Sequence, residues 1–198
     1  MIDQPFPLIL ASGSPRRKEL LSQIGLIFSI VPSQADEVPC KDAMPDAYVQ
    51  RLSKEKAFLV AQEYPGSFVL GADTIVVLDN KILEKPATPA ESRTMLRMLS
   101  AQTHEVYTGF SLLCLDKNIE ETNIITTQVT FKTLTLDEIS WYSSTIEPYD
   151  KAGGYALQGI GGFFVEKICG SYTNVIGLPL TEVMAVLIKH GACRFIKG

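Results

Sequence analysis

The sequence predicts an α/β fold, because apolar runs typical of buried strands alternate with segments whose apolar residues repeat at helical spacing. A strand-like run at residues 8–11 precedes one helical pattern, and a longer β-branched run at 68–78 follows a second one. The chain has 198 residues, of which 46% are hydrophobic, so it can bury a large core. We therefore predict a single domain over residues 1–198, formed as one body or as two lobes that share a sheet.

Residues 12–17 (SGSPRR), called the junction below, connect the first predicted strand to the first predicted helix. Pro15 suits the first helical position, and Ser14 is then the N-cap whose hydroxyl can accept a bond from a free backbone N–H group. Arg16 and Arg17 add two guanidinium groups beside the positive end of the helix dipole. The junction is therefore a candidate phosphate site, and a capped surface helix with solvated arginines is the alternative.

The first helix is expected to end at Gly25 and to be followed by a strand over residues 27–31. The polar loop after this strand carries two adjacent carboxylates, Asp36 and Glu37. A solvated acidic loop is the ordinary interpretation. The alternative is that one of the carboxylates helps to hold a divalent ion beside the phosphate site.

Residues 46–64 are predicted to form a helix, because their apolar side chains fall within one arc at about 100° per residue. Lys56 lies near the middle of that arc, between Leu52 and Leu59. Its ammonium either extends to solvent along its apolar neighbours or enters an internal cleft that holds negative charge. Lys54 lies on the other side and is expected to be an ordinary surface residue.

The β-branched run at 68–78 contains one carboxylate, Asp73. A buried carboxylate is unfavourable unless it is paired, hydrogen-bonded or bound to a metal, so Asp73 is a candidate functional residue. The structural alternative is that it caps the loop after Gly71. A turn at 79–80 and a return strand at 81–84 complete a predicted hairpin, which is followed by another cation, Lys85.

The remaining segments supply further helices and strands. A capping box at 88–91 begins a helix that extends to residue 99, and two long antiparallel strands are predicted at 104–115 and 119–132. His104 is interpreted as a hydrogen-bonded structural residue. After a second capping signal at residue 135, a glycine-rich loop at 150–162 precedes a strand at 163–166. This loop is either a flexible connector or a backbone that a ligand can approach closely. Pro179 is expected to begin a final helix that ends at Gly191.

The composition excludes several classes of protein. A net charge of −4 and a pI near 5.2 argue against binding to nucleic acid polymers or anionic membranes. Residues 16–18 (RRK) form a local basic island that suits a small polyanionic ligand. The four cysteines include no Cys-x-x-Cys pair and are expected to be reduced thiols. No apolar run resembles a signal peptide or a membrane span, so a soluble cytoplasmic protein is expected.

Taken together, these segments resemble the Maf family of nucleoside triphosphate pyrophosphatases, from about residue 8 to residue 187. The matching pieces are LASGSPRR at 10–17, DE at 36–37, KEKA at 54–57, GADT at 71–74, EKP at 84–86, LQG at 157–159 and GLPL at 177–180. The resemblance implies an elongated mixed β-sheet with flanking helices and two lobes around a central cleft, similar to the inosine triphosphate pyrophosphatases. It also implies a homodimer.

The chemistry implied by the family is hydrolysis of a nucleoside triphosphate to the monophosphate and pyrophosphate, with a divalent cation. By resemblance, Asp73 is the proton acceptor, and the catalytic group also includes Glu37, Lys56 and Lys85. The residue types agree with this assignment. The lysines and the junction supply positive charge for the phosphates, and Glu37 and Asp73 supply the hard oxygen ligands that Mg²⁺ or Mn²⁺ prefers.

Substrate preference is also implied by resemblance. Arg17, Thr74 and Gln158 match the subgroup that acts on dTTP and UTP, whereas a sister subgroup that acts on 7-methyl-GTP has a tryptophan after the proline and differs at the other two positions as well. Ser12, Ser14 and Arg16 complete the predicted substrate-binding set. Two other functions remain open from the sequence: a nucleotidyltransferase, and a non-enzymatic nucleotide-binding regulator of cell division.

Overall fold

The computed structural model describes residues 2–35 and 44–196. The strands, in chain order, are β1 Ile2–Asp3, β2 Leu8–Leu10, β3 Ser29–Ile30, β4 Phe68–Leu78, β5 Lys81–Leu83, β6 Thr103–Cys114, β7 Ile119–Phe131, β8 Val165–Cys169 and β9 Arg194–Phe195. The helices are α1 Pro15–Gln23, α2 Pro45–Glu63, α3 Pro89–Leu99, α4 Leu136–Ser143, α5 Tyr172–Ile176 and α6 Leu180–Lys189.

The main sheet is mixed, which confirms the predicted α/β class. Within the described residues it has seven strands, in the order β3-β2-β4-β6-β7-β8, with β5 paired to β4. Strand β2 runs parallel to both β3 and β4, whereas β5 and β8 run antiparallel to their partners. Strands β1 and β9 form a separate antiparallel pair.

The chain divides into two compact units. The first unit comprises residues 1–73, 108–125 and 177–198, and the second comprises residues 74–107 and 126–176. Strands β4, β6 and β7 contribute residues to both units. In the first unit, small and branched side chains of α2 pack against β2 and β4; one cluster of this core comprises Ile9, Ala11, Ala57, Val60, Ala61, Val69 and Leu113.

The core of the second unit is more aromatic. Leucines of α3 pack there with Phe131, Tyr142, Tyr155 and Phe164. The ring of Phe131 meets the ring of Tyr155 edge-on, with centroids 4.8 Å apart, and Tyr142 meets Phe164 in the same way at 5.0 Å. Such edge-to-face pairs stabilise a core beyond the area that they bury.

Local sequence signals predicted several elements correctly. Asp79 and Asn80 have φ values of 49° and 62°, as a two-residue hairpin turn with a primed geometry requires. Both capping boxes begin helices as expected, although the carboxylate of Glu91 accepts its bond from the N–H group of Ala87 rather than from the N-cap residue. Gly25, with φ of 77°, follows α1 as predicted.

Other boundaries were wrong. The strand predicted at 27–31 is reduced to the two exposed residues of β3, and Leu59 of α2 is 37% exposed rather than inward. Phe163 and Phe164 lie in a 3₁₀ turn, and β8 begins only at Val165. Strands β1 and β9 and helix α5 were not predicted, because two- and five-residue elements have too few positions to show a period. The cysteines at 114, 169 and 193 are free thiols, as expected, and Cys40 lies outside the described residues.

Candidate active site

The junction connects the end of β2 to the start of α1. Pro15 occupies the first turn of the helix as predicted, and Ser14 has the extended backbone of an N-cap, with φ of −67° and ψ of 118°. The expected capping bond from its hydroxyl is not formed among the described residues. Instead, the backbone N–H group of Ser14 donates to Oγ of Ser12 at 3.3 Å. The local turn is therefore stabilised by the serine two residues earlier.

Arg17 is more deeply embedded than a surface arginine. The residue is only 8% exposed. Nη1 donates to Oγ of Ser12 at 3.0 Å, and Nε donates to the carbonyl oxygen of Gly177 at 2.8 Å. These two bonds fix the plane of the guanidinium group. Arg17 therefore connects the junction to the segment just before α6, and Arg16 beside it is half-buried.

Lys56 and Asp73 form an ion pair in the first unit. Nζ of Lys56 lies 2.8 Å from Oδ1 of Asp73, and the two side chains are 10% and 11% exposed. Of the two alternatives that the sequence left for Lys56, the internal one is therefore correct, and the negative charge is a carboxylate of the protein itself. Lys54 is half-exposed and pairs with Glu120 on the surface, as expected for an ordinary lysine.

Two glycines allow α2 to approach the sheet closely enough for this pair to form. A Cβ atom at Gly71 of β4 would lie 2.6 Å from the backbone nitrogen of Ala57. A Cβ atom at Gly109 of β6 would lie 2.6 Å from the carbonyl carbon of Val49. Any larger residue at either position would push the helix outward, because backbone atoms cannot move aside as a flexible side chain can. The position of Lys56 is thus set by backbone contacts between α2 and the sheet.

Asp73 and Ser12 both follow positions at which two parallel strands are paired. Strands β2 and β4 are parallel, and Leu10 is paired in register with Leu70. Ser12 lies two residues after Leu10, and Asp73 lies three residues after Leu70. Strand β4 continues to Leu78, so Asp73 lies within this strand, whereas Ser12 lies beyond the end of β2.

The other predicted site residues are distributed differently. Thr74, Lys85 and Gln158 belong to the second unit; Thr74 is half-buried, whereas Lys85 and Gln158 are exposed. Glu37 lies outside the described residues. Among residues 2–35 and 44–196, no three histidine, cysteine, aspartate or glutamate side chains are grouped as a protein-only metal site would require.

His104 has the structural role that the sequence suggested. It is 1% exposed, and its Nε2 atom lies 2.8 Å from the hydroxyl oxygen of Tyr155. Burial lowers the pKa of His104 from 6.5 to about 4, so the imidazole is neutral at pH 7. Its ring also packs edge-on against Phe131, with centroids 5.0 Å apart. These contacts place it in the core of the second unit.

Within the part of the chain that the structure describes, every helix is too short or too polar to span a bilayer.

A family model described as Maf-like protein matches residues 7–190. Three curated relatives are named dTTP/UTP pyrophosphatase. That of Syntrophus aciditrophicus (strain SB) is 53% identical over 188 residues, which cover 95% of this chain and 92% of the relative. That of Myxococcus xanthus (strain DK1622) is 48% identical over 93% of this chain and 92% of the relative. That of Halalkalibacterium halodurans is 49% identical over 93% and 96%, respectively.

Proposed function

The chain belongs to the Maf-like protein family, and we propose that it is a nucleoside triphosphate pyrophosphatase that hydrolyses dTTP and UTP. The products are the nucleoside monophosphate and pyrophosphate, formed by cleavage between the α- and β-phosphates. The observation that carries the proposal is the buried Lys56–Asp73 pair of the first unit. The names of the curated relatives at 48–53% identity support the choice of substrates.

Asp73 is proposed as the base that accepts a proton from the attacking water. A carboxylate has about four acceptor sites, so the bond to Lys56 leaves room for a water on the same group. The bond holds the carboxylate in one orientation, which a general base needs because proton transfer requires hydrogen-bond distance. The ammonium of Lys56 has three donors and can also stabilise negative charge on a phosphate oxygen.

The junction is proposed to bind the phosphates. The N-terminus of α1 has backbone N–H groups without intrahelical partners, and the helix dipole favours an anion there. Ser12 and Ser14 add hydroxyl groups, and Arg16 and Arg17 add positive charge. Arg17 also fixes the hydroxyl of Ser12 through its bond at 3.0 Å, so it is proposed to shape the site as well as to contact the substrate.

A divalent cation, Mg²⁺ or Mn²⁺, is proposed as the cofactor. Asp73 is a hard oxygen ligand, and Mg²⁺ is commonly held by one or two carboxylates together with substrate phosphates and water. The donor set therefore fits an ion that the substrate helps to bind, with Glu37 as the second carboxylate on the strength of the family resemblance. When bound, such an ion withdraws charge from the phosphate oxygens.

Base recognition is proposed to involve Arg17, Thr74 and Gln158. A guanidinium, a hydroxyl and an amide offer hydrogen bonds to the carbonyl and N–H edge that thymine and uracil share. A site that depends on such polar pairing strongly rejects a base with a different edge, because mismatched groups remain unpaired. Lys85 is proposed to contribute a second cation to the phosphates.

The proposal is tested by incubating the protein with dTTP, UTP, CTP, the purine triphosphates and 7-methyl-GTP in the presence of Mg²⁺ and identifying the products. Monophosphate and pyrophosphate are expected from dTTP and UTP, with lower kcat/KM for CTP and the purine triphosphates and almost none for 7-methyl-GTP. A higher kcat/KM for 7-methyl-GTP or dGTP than for dTTP would overturn the substrate assignment. Binding without release of monophosphate would overturn the activity and favour a regulator or a nucleotidyltransferase.

Three further features are proposed, of which the first follows from the family resemblance. The protein is a homodimer, which light scattering of the purified protein would test. It acts in the cytoplasm, where it removes unwanted nucleotides from the triphosphate pool. Residues 1–198 form one domain whose two lobes are the two units, and the continuity of β4, β6 and β7 supports this organisation.

A further inference from the structure

Gln158 lies in a short segment, residues 156–161, that we call the Gln158 loop. The loop is held by the carboxylate of Glu147, which follows α4 in the chain. This carboxylate accepts three hydrogen bonds: from the hydroxyl group of Tyr142 to Oε1 at 2.9 Å, from the backbone of Gly161 to Oε1 at 2.9 Å, and from the backbone of Ile160 to Oε2 at 3.0 Å. One side chain therefore binds two successive N–H groups on the C-terminal side of Gln158.

Tyr142 holds the other side of the loop. Its ring is completely buried, and its hydroxyl oxygen accepts a hydrogen bond from the backbone of Ala156 at 3.3 Å while the same group donates to Glu147. Burial, and next the hydrogen bond to Glu147, raise the pKa of Tyr142, so the hydroxyl keeps its proton and remains a donor. Together, Tyr142 and Glu147 bind the backbone on both sides of Gln158.

The glycines of the loop make this arrangement possible. A Cβ atom at Gly159 would collide with the carboxylate of Glu147, and one at Gly161 would lie 2.7 Å from the hydroxyl oxygen of Tyr142. The sequence left two interpretations of the glycine-rich segment, a flexible connector or a surface for close ligand approach. In the structure, these two glycines have a different role. Because they lack side chains, Glu147 and Tyr142 can reach the loop backbone.

We propose that Glu147 and Tyr142 are positioning residues that hold Gln158 where it can recognise the nucleotide base. The inference rests on the proposed function. Gln158 is exposed, and its side chain makes no hydrogen bond to any residue within 2–35 or 44–196. Its amide therefore depends on the loop backbone for its position, and a displacement of about 1 Å at a recognition group is enough to reduce catalytic efficiency strongly.

The decisive variant is Glu147→Gln, which keeps the size of the side chain. Glutamine offers one acceptor oxygen in place of two, and its amide N–H groups face the N–H groups of the loop. We expect KM for dTTP to rise about tenfold or more, with kcat changed by less than about threefold, because the loss concerns recognition rather than bond cleavage. Tyr142→Phe removes one donor and one acceptor and is expected to raise KM in the same direction by a smaller factor.

A double-mutant cycle separates positioning from general stability. If Glu147 acts through Gln158, then Glu147→Gln raises KM in the wild-type background but not in a Gln158→Ala background. The matched control is Glu138→Gln, which changes a carboxylate of α4 that caps the helix and bonds the N–H group of Thr135 at 2.8 Å. This control is expected to lower Tm without changing KM.

Two outcomes would overturn the inference: KM unchanged in both the Glu147 and Tyr142 variants while wild-type protein is active, or KM effects of Glu147→Gln and Gln158→Ala that multiply. Failure of the proposed function has a different signature, since wild-type protein would then release no monophosphate from dTTP. In that case the same cycle is measured as Kd for dTTP by calorimetry. Binding about tenfold weaker in Glu147→Gln, and not further weakened in the double variant, supports positioning, and unchanged binding overturns it.

Discussion

Replacement of Lys56 by methionine removes one member of an ion pair whose side chains are about one-tenth exposed. Removing one partner of a buried pair typically costs about 3–5 kcal/mol, because the remaining charge is left without compensation. The slight exposure of both groups favours the lower end, about 3 kcal/mol, which for a protein of this size corresponds to a decrease in Tm of about 6–12 °C. From the sequence alone, where Lys56 has no identified partner, the same variant is expected to keep or raise Tm. Because Lys56 is paired with Asp73, the expected change in Tm is a decrease.

The assay is thermal unfolding of four proteins at pH 7: wild type, Lys56→Met, Asp73→Asn and the double variant. The double variant is expected to lie within about 1 kcal/mol of wild type, because neither charge is then left alone. Lys54→Met is the matched control, since that lysine lies on the same helix in a half-exposed pair and should contribute less than about 1 kcal/mol. The reasoning is refuted if Lys56→Met shifts Tm no more than Lys54→Met does, or if the two single changes simply add.

Three further outcomes are expected. Asp73→Asn should lower kcat by about 10²–10⁴-fold while the circular dichroism spectrum is retained, and near-normal kcat would contradict its role as base. Gly109→Ala places a methyl group against the backbone of Val49 and should lower the free energy of unfolding by about 1–3 kcal/mol, whereas Gly25→Ala, with no atom within 4 Å, tests only the strain of its φ of 77°. Because the pKa of His104 is lowered from 6.5 to about 4, its contribution to stability is complete above pH 6.5 and is lost, by about 3 kcal/mol, as pH falls towards 4. Chemical unfolding of a His104→Gln variant should show a shallower loss over that pH range, and an unchanged slope would contradict the assignment.

Elements with local signals could be predicted from the sequence. The hairpin turn at Asp79 and the capping residue Thr135 each depend on residues within four positions, and the chemistry of a turn or a cap acts over that distance. The two-residue pairing of β1 with β9 joins positions nearly 200 residues apart, so no local pattern indicates it. Short strands of this kind form only because the surrounding structure brings them together.

The candidate active site likewise has features that the sequence predicts and features that it does not. Asp73 was predicted because a carboxylate within an apolar strand is unusual wherever it lies. Its partner, Lys56, could be identified only as an anomaly, since the distance between them depends on how closely α2 packs against Gly71 and Gly109. The sequence signal for this close packing was a glycine within each of two strands, Gly71 in β4 and Gly109 in β6. The bond from Arg17 to the carbonyl oxygen of Gly177 could not be predicted, because a backbone acceptor has no sequence signature.

The bond between Arg17 and Gly177 affects when the junction can reach its final geometry during synthesis. A ribosome releases residues 1–73 first, yet the first unit also needs residues 108–125 and 177–198, whereas the second unit is complete once residue 176 has emerged. The guanidinium of Arg17 cannot bind its acceptor until Gly177 has emerged, and every residue of the second unit has emerged by then. The junction, although translated before both of the other segments of its unit, is therefore among the last parts of the molecule to reach its final geometry.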